Sequence, residues 1–126
     1  MTSSICDRLI QKVWCSFISD LGNVPKAEGI YTIGLIQRGY GYEYVTYLYV
    51  GYSKDMHRRL PEHKWQTLDI DEFIKKQIQK NGGKDLLTKW VKDQNGRCNE
   101  GNYIECMTRK LGYRPPFNKK GGNSCS

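Results

Sequence analysis

Apolar residues recur every fourth position from Ile5: Leu9, Val13, Phe17 and Leu21 follow, and Trp14 and Ile18 widen the stripe. This spacing predicts an amphipathic helix over 4–21, capped by Ser4 and ended by Gly22-Asn23. Pro25 then favours an extended entry into the next element. Over 29–36 (GIYTIGLI) and 44–52 (YVTYLYVGY) the pattern changes to β-branched and aromatic residues. These read as two strands, and the short glycine-rich link between them implies an antiparallel hairpin. Ser53 is placed to cap a helix from Lys54 to Lys64. A further helix is predicted over 69–80, opened by Asp69 and Glu72 and stopped by Asn81-Gly82-Gly83; Ile70, Phe73, Ile74 and Ile78 form its apolar face. Residues 85–93 suit a half-buried third strand. A last helix is predicted over 98–111, with Tyr103, Ile104, Met107 and Leu111 inward, ended by Gly112 and Pro115-Pro116.

The fold class expected is therefore α/β: a small three-stranded antiparallel sheet flanked by helices, with an extra N-terminal helix. Residues 1–28 form a helical extension packed on the domain, 29–120 the domain proper and 121–126 a disordered tail. The predicted core comprises Ile30, Ile33, Leu48, Val50, Phe73, Ile74, Ile78, Leu87, Val91 and Ile104.

Length and charge narrow the choice. A chain of 126 residues fits one self-supporting domain. It contains no run of the ~18 apolar residues that a membrane span needs. Asp7, Arg8 and Lys12 interrupt what a secretory leader would keep apolar, so an intracellular location is expected, with no membrane partner. The formal net charge is +7. Beyond Glu105 there is no acid, while Arg109, Lys110, Arg114, Lys119 and Lys120 follow. Such a basic end suits a polyanion. The five cysteines are odd in number and include no CxxC pair. They are expected to be reduced thiols rather than a zinc site or a disulfide framework.

Three separated pieces carry candidate chemistry. Gly29-Ile30-Tyr31 is followed across the hairpin by Tyr49-Val50-Gly51. Arg59 and His63 stand four residues apart on the next helix, hence on one face. Glu100 stands in the sequence EGNYI, which is followed by RPPFN ending at Asn118. In this order and spacing the set resembles the GIY-YIG nuclease family over about residues 28–118.

That resemblance implies hydrolysis of a phosphodiester by water, in DNA, with one divalent metal ion, Mg²⁺ first and Mn²⁺ second. It implies Tyr31 and Tyr49 as the motif tyrosines, Arg59 as the essential arginine, His63 as the helix histidine, Glu100 as the carboxylate ligand and Asn118 as the closing-loop asparagine. These residue types suit the chemistry. Negative charge builds on phosphate oxygens in the transition state, and a guanidinium offers them a planar fork of donors. Tyr31 either takes the proton of water, which requires its pKa to be lowered by nearby cations, or orients the water while His63 shuttles the proton. Lys54, Arg58, Lys64, Asn118, Lys119 and Lys120 are expected to contact nucleic acid, and Tyr40, Tyr42 and Tyr52 to stack on unpaired bases. The expected partner is DNA, duplex or branched, with RNA as a further substrate class and a homodimer or a partner protein for targeting. The alternative is a catalytically inactive nucleic-acid-binding module that keeps the fold. Pro61, inside the helix bearing Arg59 and His63, predicts a kink there. Gly101 loosens the turn that presents Glu100.

Overall fold

The computed structural model describes residues 4–122 and Cys125. The aromatic and β-branched segments form a long hairpin, β2 (Gly29–Gly39) and β3 (Tyr42–Ser53). Its two-residue turn is Tyr40-Gly41, where Gly41 has φ 77°, a left-handed conformation that glycine adopts without steric cost. β4 (Leu86–Lys92) pairs antiparallel with the other side of β2.

The sheet has four strands, not the three expected. The fourth is β1 (Cys15–Ser16), which pairs antiparallel with β4, giving the order β1-β4-β2-β3. It arises within the segment read as one helix over 4–21. Only α1 (Asp7–Gln11) is helical there, and a short 3-10 turn spans Leu21–Asn23. Local polar groups compete with the helix. Ser16 Oγ accepts from the Ile18 and Ser19 N–H groups, and Asp20 accepts from that of Ser16. Lys89, far along the chain, donates to the Ile10 and Lys12 carbonyls and so satisfies the end of α1. The supposed extension is thus part of the sheet.

Both faces of the sheet are covered. On one side α2 (Met56–Glu62) and α3 (Asp69–Asn81) pack over Tyr31, Ile33, Leu48 and Leu86. On the other, α1 and α4 (Gly96–Leu111) pack over Ile30, Tyr47, Val50 and Val91. Of the predicted core, Ile30, Ile33, Leu48, Val50, Ile74, Val91 and Ile104 are buried, while Phe73 and Ile78 pack partly buried against it. Leu87 is only half-buried, and its neighbour Leu86 takes the inward place.

The cysteines also differ from expectation. Cys6 is joined to Cys106 and Cys98 to Cys125, leaving Cys15 free. The first bond ties the start of α1 to α4, and the second ties the C-terminal tail to α4. Of that tail, Gly121, Gly122 and Cys125 are placed, and the rest lies outside the described residues. Among the described residues no helix is long and apolar enough to cross a membrane.

Candidate active site

A register shift opposite Ile33/Gly34 lets β3 present consecutive residues to one face. Leu48 enters the core beneath α2 and α3, and Tyr49 packs beside it on the same side. A bulge re-aims a side chain in this way at the cost of local pairing. Gly51 makes room for the other tyrosine. A Cβ there would come within 2.6 Å of both Cζ and Oη of Tyr31.

Tyr31, from the middle strand β2, lies almost wholly buried beneath α2. Its Oη is 2.7 Å from His63 Nε2, and His63 Nδ1 is 2.5 Å from Asp71 Oδ1. His63 and Asp71 are fully buried. Pro61 explains how His63 gets there. The helix ends at Glu62, and the chain tightens into bonds from His63 to Leu60, Lys64 to Pro61 and Trp65 to Glu62. The ring then turns inward between Tyr31 and Tyr49, edge-on to both. The expected disturbance is therefore a tightened last turn that delivers the histidine.

Arg59 comes from the same helix. Its Nη1 is, among the described residues, the buried side-chain nitrogen or oxygen without a hydrogen-bond partner. It forms an ion pair with Glu62, whose Oε1 stands 3.7 Å away, beyond hydrogen-bond distance. Glu100, from the opposite layer, lines a cavity of about 390 Å³ together with Tyr49, Ile70, Ile104, Phe117, Asn118, Lys119, Lys120, Gly121 and Gly122. The cavity takes residues from both helical layers, so it opens where they meet at the β3 edge. Arg59 and Glu100 both act electrostatically on the phenols of Tyr31 and Tyr49, while Tyr31, Arg59 and His63 are not among the residues that line the cavity.

Burial dominates the electrostatics of the site. Burial raises the Tyr31 phenol well above its ordinary value, the Tyr49 neighbour adds to this, and Arg59 offsets only part. Tyr49 is raised for the same chief reason. Neither exists as a bare phenolate near neutrality. Burial lowers the His63 imidazole, and the bond to Asp71 recovers only part of that. Burial acts to raise Asp71, but the His63 hydrogen bond, the Leu68 N–H and Arg59 prevail and hold its carboxyl below the usual value. A neutral imidazole beside a carboxylate is the consistent pair of states.

The remaining candidates are dispersed. Asn118 is buried as a clasp: its Oδ1 accepts from the Val50 N–H at 2.8 Å and its Nδ2 donates to the Val50 carbonyl at 2.9 Å. With the Phe117 N–H on the Leu48 carbonyl, it covers the outer edge of β3. Its amide is thus fully engaged in the fold. Lys120 lines the cavity, while Lys119, at its rim, pairs with Asp69 at 2.5 Å. Arg58 pairs with Glu62, Lys64 lies over the Phe17 ring, and Lys54 is exposed just before α2. Tyr40 and Tyr42 are exposed at the hairpin tip, but Tyr52 is engaged by Glu28.

Asp71 escaped sequence reasoning. It stands three residues after Leu68, whose N–H it accepts at 2.9 Å, a spacing that signals only a helix-start acid. No family model, curated protein or solved structure matches the chain.

Proposed function

We propose that the protein is an endonuclease of the GIY-YIG type, hydrolysing phosphodiesters in DNA with water as nucleophile. The observation that carries this reading is the Arg59 guanidinium: a buried cationic nitrogen without a hydrogen-bond partner, sharing its surroundings with two tyrosines, a histidine and a cavity-lining carboxylate. A buried donor without a hydrogen bond is costly even beside the Glu62 charge, and a phosphate oxygen is an acceptor that offsets the cost.

The donor set fits a hard cation that keeps most of its water. Glu100 is a single carboxylate on an open cavity, and among the described residues no three His, Cys, Asp or Glu side chains are grouped to hold a metal. That arrangement suits Mg²⁺, or Mn²⁺ in its place, rather than an all-protein cage. Bound at Glu100, the ion supplies positive charge against the negative charge developing on phosphate oxygens. Arg59 supplies fixed positive charge, and the Tyr31–His63 contact provides a path for a proton. Lys120, lining the cavity, and the formal net charge of +7 supply a positive field suited to a polyanion.

The reading sits with an intracellular location, where nucleic acid is the abundant polyanion. The two disulfides set a condition on it, because disulfides are rare in a reducing cytosol. The test is cleavage of single-stranded, duplex and branched DNA, and of RNA, with Mg²⁺ or with EDTA. Metal-dependent cutting should fall by about 10²–10³ in Arg59→Ala and be lost in Glu100→Ala. Binding without cutting by the parent chain would instead identify an inactive binding module.

A further inference from the structure

We infer that Asp71 is a positioning residue for this site: it holds His63 with its proton on Nδ1, so that Nε2 accepts from the Tyr31 hydroxyl. The inference deepens the nuclease reading, and the hydrolytic use of the path rests on that reading. The tautomer itself does not.

Which groups can donate fixes the tautomer. The Leu68 N–H can only donate, so Asp71 Oδ2 accepts it at 2.9 Å. An ionised carboxylate offers no proton, so the 2.5 Å contact from Oδ1 to His63 requires the hydrogen on Nδ1. The neutral ring then has its lone pair at Nε2, 2.7 Å from Tyr31 Oη, which must donate. The chain Tyr31–His63–Asp71 thereby has a direction. All three members are buried, so solvent does not scramble it. The groups acting on His63 are Tyr31 from β2, Tyr49 from β3, Arg59 and Glu62 from α2 and Asp71 from α3. Among the described residues, Asp71 is the one hydrogen-bonded to Nδ1.

This direction removes the difficulty posed by a buried phenol. As water gives a proton to the Tyr31 oxygen, Tyr31 passes its own to His63 Nε2, and no free phenolate forms. The water oxygen bonds to phosphorus, the bond to the leaving sugar oxygen breaks, and that oxygen takes a proton from solvent. The imidazolium, flanked by the Asp71 carboxylate, later returns its extra proton to Tyr31 Oη as the phenol gives one back to water, which closes the balance.

Asp71→Asn tests the inference because the amide has one acceptor end. The Leu68 N–H keeps the amide oxygen, so the NH₂ faces His63 Nδ1 and drives the ring proton to Nε2. In ¹⁵N-histidine spectra the parent should show a protonated Nδ1 and an unprotonated Nε2 at His63, and the variant the reverse. In the Ser-His-Asp proteases the wrong tautomer costs about 10⁴ in kcat. A loss of roughly 10²–10⁴ in kcat with little change in KM is expected here. A parent ring protonated on Nε2 overturns the inference, and this holds even where the variant fails to fold. An unchanged kcat in Asp71→Asn also overturns it. The expected tautomers with no cleavage by any form would support the positioning role and sink the nuclease reading instead.

Discussion

Each face of the sheet hides one ionisable centre, and the two are built on different plans. Beneath α2 and α3, Tyr31, His63 and Asp71 are joined head to tail, with Tyr49 beside them leading to the cavity. On the other face, Lys89 donates to the Ile10 and Lys12 carbonyls and to Tyr47 Oη, with the Trp14 ring centroid 4.4 Å from its Nζ. The lysine is a hub. Its partners are main-chain carbonyls and one hydroxyl of the fold, and together they account for the bend that turns α1 into β1. Burial degree does not separate the centres, since Lys89 is as hidden as the triad. What separates them is the choice of partners: Lys89 bonds to two main-chain carbonyls and one hydroxyl, whereas Tyr31, His63 and Asp71 bond chiefly to one another and pack against Tyr49, which lines the cavity.

Removing one tyrosine hydroxyl from each face should break the comparison most sharply. Tyr31→Phe deletes the link between the cavity side and His63, and cleavage should fall by roughly 10²–10⁴. Tyr47→Phe deletes an acceptor of Lys89 and should cost about 1–3 kcal/mol of stability with cleavage per folded molecule unchanged. Parallel thermal melts and single-turnover rates check both. Equal rates for Tyr31→Phe and the parent would reduce the Tyr31–His63–Asp71 chain to packing.

Titration should sharpen it further. Burial pushes Lys89 down to about 8, below the roughly 10.4 of an unfolded lysine. Between those values the unfolded chain binds more protons, so stability rises with pH and the penalty of burying the charge is relieved. Below pH 8 both states are protonated and the penalty is full. Denaturant unfolding from pH 8 to 10 should therefore show a rise of up to about 3 kcal/mol, absent in Lys89→Met. Above pH 10 the sign reverses, because Tyr47, Tyr52 and Tyr103 titrate near 12 when folded and the unfolded chain loses its phenolic protons first. The other centre answers to acid. His63 is lowered in the fold, so its contribution is lost as pH falls below the ordinary histidine value.

The same contrast explains what could be read along the chain. The hairpin, α3 and α4 announce themselves because local pattern, turn glycines and caps agree there. The four-residue spacing from Ile5 to Leu21 is equally regular, yet Val13 is 85 % exposed and no long helix forms. Its fate is set by Lys89, 77 and 79 residues distant, which no local pattern contains. The site behaves likewise. Tyr31, Tyr49, Arg59, His63 and Glu100 were singled out through a family resemblance; Tyr31, Tyr49 and His63 pack together, and Tyr49 and Glu100 line the cavity. Asp71 was not, because its partner His63 lies across a loop and a capping role already accounted for an acid at that position. Asn118 and Lys64 carried the right chemistry for phosphate, but Asn118, though it lines the cavity, bonds its amide to the Val50 backbone, and Lys64 lies over the Phe17 ring.

The smallest effect expected concerns the tail on the open side of the first centre. The backbone at Gly122 lies against Glu100, so that a Cβ there would stand 2.7 Å from Glu100 Cγ, 2.8 Å from the Gly101 nitrogen and 2.9 Å from Glu100 Oε1. The Gly101 nitrogen belongs to α4 and cannot yield, whereas the tail crosses the cavity rim with Gly121 in open space. Gly122→Ala should therefore lift the tail and uncover the carboxylate. The Mg²⁺ concentration for half-maximal cleavage should fall, by less than the roughly tenfold that loss of an outer-shell partner costs. Gly121→Ala is the matched control, since nothing lies within 4 Å of its added methyl. A parallel series at Tyr47 should leave the metal dependence untouched, because the lysine hub shares no wall with the cavity. Should Gly121→Ala shift the Mg²⁺ requirement as much as Gly122→Ala, the tail's contact with Glu100 would have no bearing on the cation, and the cavity would be open in solution whatever lies at its rim.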